Sequence, residues 1–446
     1  MNNKVFLSSL GCSKNLVDAE IMMGILKERG YEQTPNLEDA SIAIVNTCGF
    51  IESAKEESIN EILEIAQAKQ EAQLKYLIVT GCLSQRYSAD LKKEMPEVDA
   101  FLGTSTFESI FEIIGDVAEG KKMEYILDPN EKKYPENLPR LTTTPKYMAY
   151  LKIAEGCDNH CTYCIIPKLR GKYVSRDMED IVKEAKELAD AGVKELIVIA
   201  QDTTKYGIDL YGKKMLAKLL EELCKIENVS WVRFLYAYPE DVERELLEVV
   251  ANNPKICPYF DIPIQHCNSR ILKLMNRQVT KEELLEKINM IREVVPHAIL
   301  RTSLISGFPT ETDEEFEEMI EFVKEVKFDR LGVFTYSREE DTPAAKLEGQ
   351  IEEEVKEDRK GRIMETQMQV SLNRNLSKVG SVVQVLVEEE EDEFYVGRTK
   401  EDVPEIDGVV FIKKELSLTM GDIVEVEVTE ALEYDLMGVV KDECCK

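Results

Sequence analysis

Apolar runs closing on Gly or Cys recur near the start of the chain, at residues 5–10, 42–45 and 76–79. Each is followed by a polar turn and a stretch of helical spacing, at 16–29, 51–69 and 85–93. Short apolar runs alternating with amphipathic stretches predict βα units on a parallel sheet, in a first domain spanning 1–133. Residues 134–147, with Pro135, Pro139, Pro145 and the threonines 142–144, predict a linker. A longer series follows, with strands predicted at 148–154, 196–200, 232–237, 260–264, 299–305 and 331–336 and helices at 178–191, 215–226, 282–295 and 313–326. Six such units around one axis make a partial (βα)6 barrel, and the charged stretch 352–373 reads as a long solvated helix leaving it, so that the central domain covers 148–376. Beyond Val379 the period drops to two. Five short strands, at 382–387, 394–399, 408–412, 423–428 and 435–440, predict a small all-β barrel over 378–446, of the oligonucleotide-fold size class. The expected fold class is α/β with this terminal β-barrel.

Length and charge narrow the function. With 446 residues, 43% of them apolar, the chain can fill several cores. Its 56 Lys and Arg stand against 86 Asp and Glu, a net charge of −30 that repels a phosphate backbone and makes nucleic acid a disfavoured substrate. The opening MNNKVFLSSLGCSKN lacks a signal-peptide core, and no run approaches the ~20 apolar residues of a membrane span, so a cytoplasmic protein without a membrane partner is expected. In that reducing compartment, eleven cysteines read as buried hydrophobes, catalytic thiols or metal ligands.

Cys157, Cys161 and Cys164 form a C-x3-C-x2-C group immediately after the first strand of the second series. Three thiolates on one short loop can hold three irons of a cubane cluster and leave the fourth open. Zinc would ask for a fourth ligand at paired spacing, which His160 could supply only by straining the loop. Cys12, Cys48 and Cys82 lie 36 and 34 residues apart, yet each follows its own apolar strand. A parallel sheet brings such positions to one carboxyl edge, where ligand sites collect, and this predicts a second three-cysteine cluster. Cys224, Cys257, Cys267, Cys444 and Cys445 share no such pattern and read as packing or tail residues. Gln201 and Asp202 end a predicted strand, with Asp202 either facing the site or capping its loop. His266 is either a proton donor or a hydrogen-bonded strand-end His, and Trp231 reads as core.

The C-x3-C-x2-C loop ahead of six βα units resembles the radical S-adenosylmethionine superfamily, in which the open iron is chelated by the amino and carboxylate groups of the methionine moiety. The resemblance places Tyr163 at an aromatic position near the adenine. The segments RTSLISGFPTET, 301–312, and FTYSREEDTPAA, from Phe334, match the later strands, which makes Arg301, Ser303, Glu311 and Tyr336, together with Gln201, candidate cofactor contacts. The two triplets and the terminal barrel, over essentially the whole chain, resemble the methylthiotransferases, with the barrel corresponding to the TRAM domain. One branch of that family modifies an adenosine of tRNA and another an aspartate of small-subunit ribosomal protein twelve. SLGCSKNLVDAE around Cys12, AQDTTKYG at 200–207 and DIPIQH at 261–266 look like the ribosomal-protein branch, whereas the tRNA branch reads closer to GCQMN and QNVNSYG at the first two places.

The resemblance implies two 4Fe-4S clusters on the six cysteines, with no catalytic side chain beyond these ligands. Two S-adenosylmethionine molecules serve as radical source and methyl donor, and the product is methylthiolated at the aspartate β-carbon. The implied partners are the ribosomal protein, free or in the small subunit, a low-potential electron donor and a sulfur source. Methylthiolation of a tRNA adenosine is the alternative. Radical chemistry suits the first target, because a C–H bond beside a carboxylate is too weakly acidic for an ordinary general base.

Overall fold

The computed structural model describes residues 3–71, 74–131 and 137–441. Residues 132–136 of the expected first-domain end and linker, and Cys444 and Cys445, lie outside the described residues.

The first sheet has six parallel strands in the order Glu32–Gln33, Lys4–Ser9, Ile42–Thr47, Tyr76–Gly81, Ala100–Leu102, Met123–Tyr125. Ile42–Thr47 is buried at every position because both faces are covered. Ile42 and Ile44 meet Val17, Met22 and Met23 of helix Ser13–Glu28, whereas Ala43 and Val45 meet Ile62 and Ile65 of helix Glu52–Glu71. The chain runs outward from Lys4–Ser9 in one direction and then in the other, so the strand order reverses there. Such a switch point opens a crevice at the carboxyl ends of the strands.

The central strands form two parallel sheets, Trp231–Phe234, Glu195–Ile199, Met148–Lys152 and Tyr259–Asp261, Ile299–Ser306, Arg330–Thr335. A bridge between Val232 and Ile256 and the Cys257 N–H, which donates to Val232 O at 2.8 Å, join them into one arc of six strands. Sequence reasoning overlooks the short helices Ile110–Ala118, Arg244–Asn252 and Ser269–Leu274. Among the described residues no helix is long and apolar enough to cross a membrane.

One expectation is corrected. Helix Glu353–Leu376 is not solvated all round: Lys356, Arg359, Ile363, Gln367, Ser371 and Asn375 are buried at helical spacing. Hydrophobic periodicity misses this face because it is polar. Its contacts are hydrogen bonds, from Lys356 Nζ to Tyr336 O at 3.0 Å, from Gln367 Nε2 to Phe328 O at 2.8 Å and from Arg359 Nη1 to Glu311 Oε1 at 2.6 Å. The described part of the predicted linker, 137–147, runs as a packed strap. Arg140 donates from Nε to the fully buried Glu20 at 2.9 Å and from Nη1 to Glu184 at 2.7 Å, tying helix Ser13–Glu28 to helix Met178–Asp190. Gly24 admits the strap, since a Cβ there would overlap the Pro139 carbonyl.

The last five strands close a barrel in the order Val382–Glu390, Phe394–Thr399, Val410–Lys413, Leu436–Val440, Ile423–Ala431. The segment after Thr399 docks on the starting ends of the central strands. Fully buried Glu195 is paired with Arg233 at 3.0 Å and with Arg398, Arg330 pairs with Asp402, and Tyr259 OH donates to Asp407 at 2.6 Å. The barrel therefore covers the end of the arc opposite the strand carboxyl ends.

Candidate active site

Cys48 and Cys82 directly follow strands Ile42–Thr47 and Tyr76–Gly81, and Cys12 lies just beyond Lys4–Ser9, so three neighbouring strands deliver three thiols to one edge. Glycines sew the loops together. Gly11 has φ +86°, and a Cβ there would stand 2.8 Å from Cys48 Cβ. A Cβ on Gly49 would stand 2.8 Å from the Cys82 carbonyl carbon, and one on Gly81, φ +96°, would overlap Thr47 O. Each glycine adjoins a cysteine in sequence, a signal that was available in the pairs GC, CG and GC and that periodicity alone does not use. Ser58 Oγ accepts from Cys48 N at 3.0 Å and donates to Cys48 O at 3.1 Å. Asn15 Nδ2 donates to Leu10 O at 3.1 Å and Thr47 O at 2.9 Å.

The donor set fits an iron–sulfur cluster. Burial, reinforced by Cys82 and Cys12, pushes the Cys48 thiol up to about 12; burial also raises Cys82, against the pull of Arg170. Buried thiols that repel one another as thiolates give up their protons to a metal. Helices Ser13–Glu28 and Cys82–Glu94 start at this edge without side-chain caps, so their first-turn N–H groups face the edge free to meet an anionic sulfide-rich group.

The second triplet lies between strand Ala154–Glu155 and helix Ile166–Arg170, past the end of the first central strand. Gly156 has φ +79°, and a Cβ there would overlap Lys172 O, while Cys157 N donates to Gly171 O at 3.1 Å. Thr162 is held by Met275 O at 3.0 Å and by Leu274 O at 2.8 Å, and His160, φ +49°, accepts at its carbonyl from Asn276 Nδ2 at 3.0 Å. Burial raises Cys157 to about 11 and Cys164 further. Cys161 Sγ lies 3.1 Å from Tyr238 OH, and the Arg277 guanidinium sits 4.1 Å from the centre of the Tyr238 ring. Among the described residues no group of three or more His, Cys, Asp or Glu closes on a single metal ion. A cubane asks instead that each thiolate meet its own iron.

The structure gathers some candidate residues and commits others elsewhere. Tyr163 and Tyr336 share one apolar cluster with Ile271, Met275, Ile305 and Phe308 beside the cysteine loop. Ser303 is buried in strand Ile299–Ser306, and Gln201 Nε2 donates to Glu155 at 2.6 Å. Arg301 is paired with Asp261 at 2.6 Å, and Glu311 with Arg359 at 2.6 Å, so both charges are already neutralised. Asp202 caps its loop, accepting from Thr204 N at 3.1 Å and Asn159 Nδ2 at 2.8 Å. Fully buried His266 is hydrogen-bonded through Nδ1 to Asn268 N at 2.9 Å, and Trp231 is core.

Sequence reasoning missed what joins the triplets. Buried Arg170 reaches Asp18 at 2.6 Å, Glu155 at 3.1 Å and Asn15 Oδ1, while Lys152 Nζ reaches Glu155 at 2.9 Å and Asp18. Cys82 packs on Ile165 and Leu169, one and five residues past Cys164. The two cysteine edges thus face one another across a shared polar network.

Comparison with known proteins agrees with this geometry. Residues 4–103 match the uncharacterized protein family UPF0004, 151–323 the radical SAM superfamily and 379–440 the TRAM domain. With the triplets placed as described, this is a radical S-adenosylmethionine methylthiotransferase, a class that employs S-adenosylmethionine and a 4Fe-4S cluster. The ribosomal protein uS12 methylthiotransferase RimO of Clostridioides difficile is 56% identical over 438 residues, 98% of each chain. That of Lachnoclostridium phytofermentans is 52% identical over 440 residues, 98% of this chain and 100% of the relative. The chain belongs to the RimO family. The radical S-adenosylmethionine methyltransferase TsrM of Kitasatospora setae, at 13% identity, shares the fold with a TM-score of 0.58 over 77% of this chain and 74% of that one.

Proposed function

We propose that the protein methylthiolates the β-carbon of an aspartate in ribosomal protein uS12. The observation that carries this is the pair of cysteine triplets held edge to edge by Arg170, Asp18 and Glu155. Cys157, Cys161 and Cys164 would hold the cluster that binds S-adenosylmethionine, and Cys12, Cys48 and Cys82 a second 4Fe-4S cluster. When bound, these groups supply a radical able to take hydrogen from an unactivated carbon, and a sulfur that leaves as methylthio.

The protein's own residues position and enclose. Tyr163 and Tyr336 form an apolar wall for the cofactor, and Ser303, within strand Ile299–Ser306, and Gln201, just past strand Glu195–Ile199, supply polar groups. Arg301 and Glu311, neutralised by Asp261 and Arg359, shape the strand ends that receive it. Tyr238 and Arg277 shield the Cys161 sulfur. The division 1–133, 148–376 and 378–446 gives sulfur delivery, radical generation and substrate docking to separate domains, with electrons and replacement sulfur coming from outside the chain.

Mass spectrometry of uS12 and of tRNA from host cells with and without the gene tests the reading. Loss of a methylthio group from uS12 supports it, and loss from a tRNA adenosine with uS12 unchanged overturns it.

A further inference from the structure

We propose that Lys14 binds the carboxylate of the aspartate under modification, a subsite that rests on the substrate reading above. Lys14 stands two residues past Cys12 in the first turn of helix Ser13–Glu28, and only 6% of it is exposed. Its Nζ lies 3.0 Å from the centre of the Tyr236 ring. Among the described residues no carboxylate pairs with it, and Asp18, four residues further along the same helix, is taken by Lys152 and Arg170. A buried ammonium is costly without a counter-ion, and the aromatic face offsets only part of that cost. The arrangement is therefore completed by an anion brought from outside.

Tyr236 is a built feature. It holds φ +62°, a conformation uncommon outside glycine, at the carboxyl end of the third central strand. Its N–H donates to Asp261 Oδ2 at 3.0 Å and its carbonyl accepts from Thr203 N at 3.0 Å. The Lys14 side chain thus crosses from the Cys12 loop to the strand ends of the central arc, linking the two faces that carry the triplets. A substrate carbon that loses hydrogen to one face and gains sulfur from the other has to sit between them. In aspartate the carboxylate is one bond from that carbon, within reach of a cation placed there, whereas an adenine ring carries no such anion.

The test uses the full chain, anaerobically reconstituted, and two synthetic uS12 peptides, one with the aspartate and one with asparagine in its place. Affinities are compared for the wild type, Lys14→Met and Lys14→Arg, with iron content and circular dichroism confirming the fold of each. The wild type should prefer the aspartate peptide by about tenfold or more, the factor expected of a charge-assisted contact. Lys14→Met should bind both peptides alike, and Lys14→Arg should keep most of the preference. If Lys14→Met retains the wild-type preference, Lys14 only joins the domains and the proposal is overturned with the substrate reading intact. If the wild type shows no preference between the peptides, the carboxylate subsite is overturned. If it binds neither peptide, the carboxylate subsite is overturned, and the mass spectrometry of uS12 and tRNA decides the substrate reading separately.

Discussion

At the scale of single residues, the site is a matter of which atoms allow three loops to touch. Gly11 is the sharpest case, with φ +86° and Cys48 directly in the path of any Cβ. Gly11→Ala adds backbone strain of about 1–2 kcal/mol and pushes Cys12 and Cys48 apart. Iron in the reconstituted protein should fall from about eight per chain, the content of two cubanes, to about half, with little change in circular dichroism; full iron content would show that the loop yields. The two cysteine triplets should separate by role. Cys161→Ala should abolish reductive cleavage of S-adenosylmethionine, whereas Cys48→Ala should keep some cleavage and lose the methylthiolated product. Loss of cleavage in both, with the other cluster intact, would refute the division. That Cys12, Cys48 and Cys82 meet at one sheet edge was legible because a thiol just past an apolar strand is a local pattern. Lys14, Asn15 and Arg170 were not, because their meaning lies in partners on other elements, as in the contact of Arg170 with Asn15 across 155 residues.

At the scale of elements, helices and strands follow the hydrophobic period wherever the buried face is apolar. Helix Asp313–Val326 starts and stops as that period predicts, with Thr312 and Glu315 closing a capping box. The period fails where polar side chains do the joining, as on helix Glu353–Leu376 and where the terminal barrel docks. Glu195 is the centre of that docking. Burial alone would raise its carboxyl, but Arg398 and Arg233 outweigh burial and hold it below its ordinary value of 4.5. A carboxyl depressed by folding stabilises the folded form above its unfolded value, and that stability is lost as pH falls through the lower folded value. Docking should therefore be intact at neutral pH and weaken once pH falls below the unfolded value of 4.5. Glu195→Gln leaves Arg233 buried without its anion and Arg398 with Glu388 alone, a change that costs about 3–5 kcal/mol. Limited proteolysis should then release the barrel by cleavage near 376–382 at neutral pH, while the wild type releases it only in acid. Equal resistance of both proteins would show that apolar contacts such as Leu386 and Val403 suffice.

At the scale of the whole molecule, charge and placement bear on how a substrate arrives. The net charge is −30, and residues 378–446 carry nineteen Asp and Glu against seven Lys and Arg. Proteins that sit against ribosomal RNA carry positive charge to meet phosphates, so such a surface should draw uS12 and repel tRNA. The barrel docks on the starting ends of the central strands, away from the cysteines, which makes its field a long-range attractor rather than part of the chemistry. Within the acidic run 388–393, Glu388 pairs with Arg398 and Glu390 with Lys414, both at 2.8 Å, so those two serve the barrel's own structure. Glu389, Glu391 and Glu393 are exposed and project the field. Replacing these three with Gln should slow association with isolated uS12 by about two- to tenfold at low salt, since charges at an interface rim act mainly on the on-rate. The difference should vanish near 0.5 M salt, where the Debye length falls to about 4 Å. Stopped-flow association rates across a salt series measure both. A variant as fast as the wild type at low salt would remove the barrel run as the steering element, and tRNA binding that tightens in the variant would show that this surface also works by exclusion.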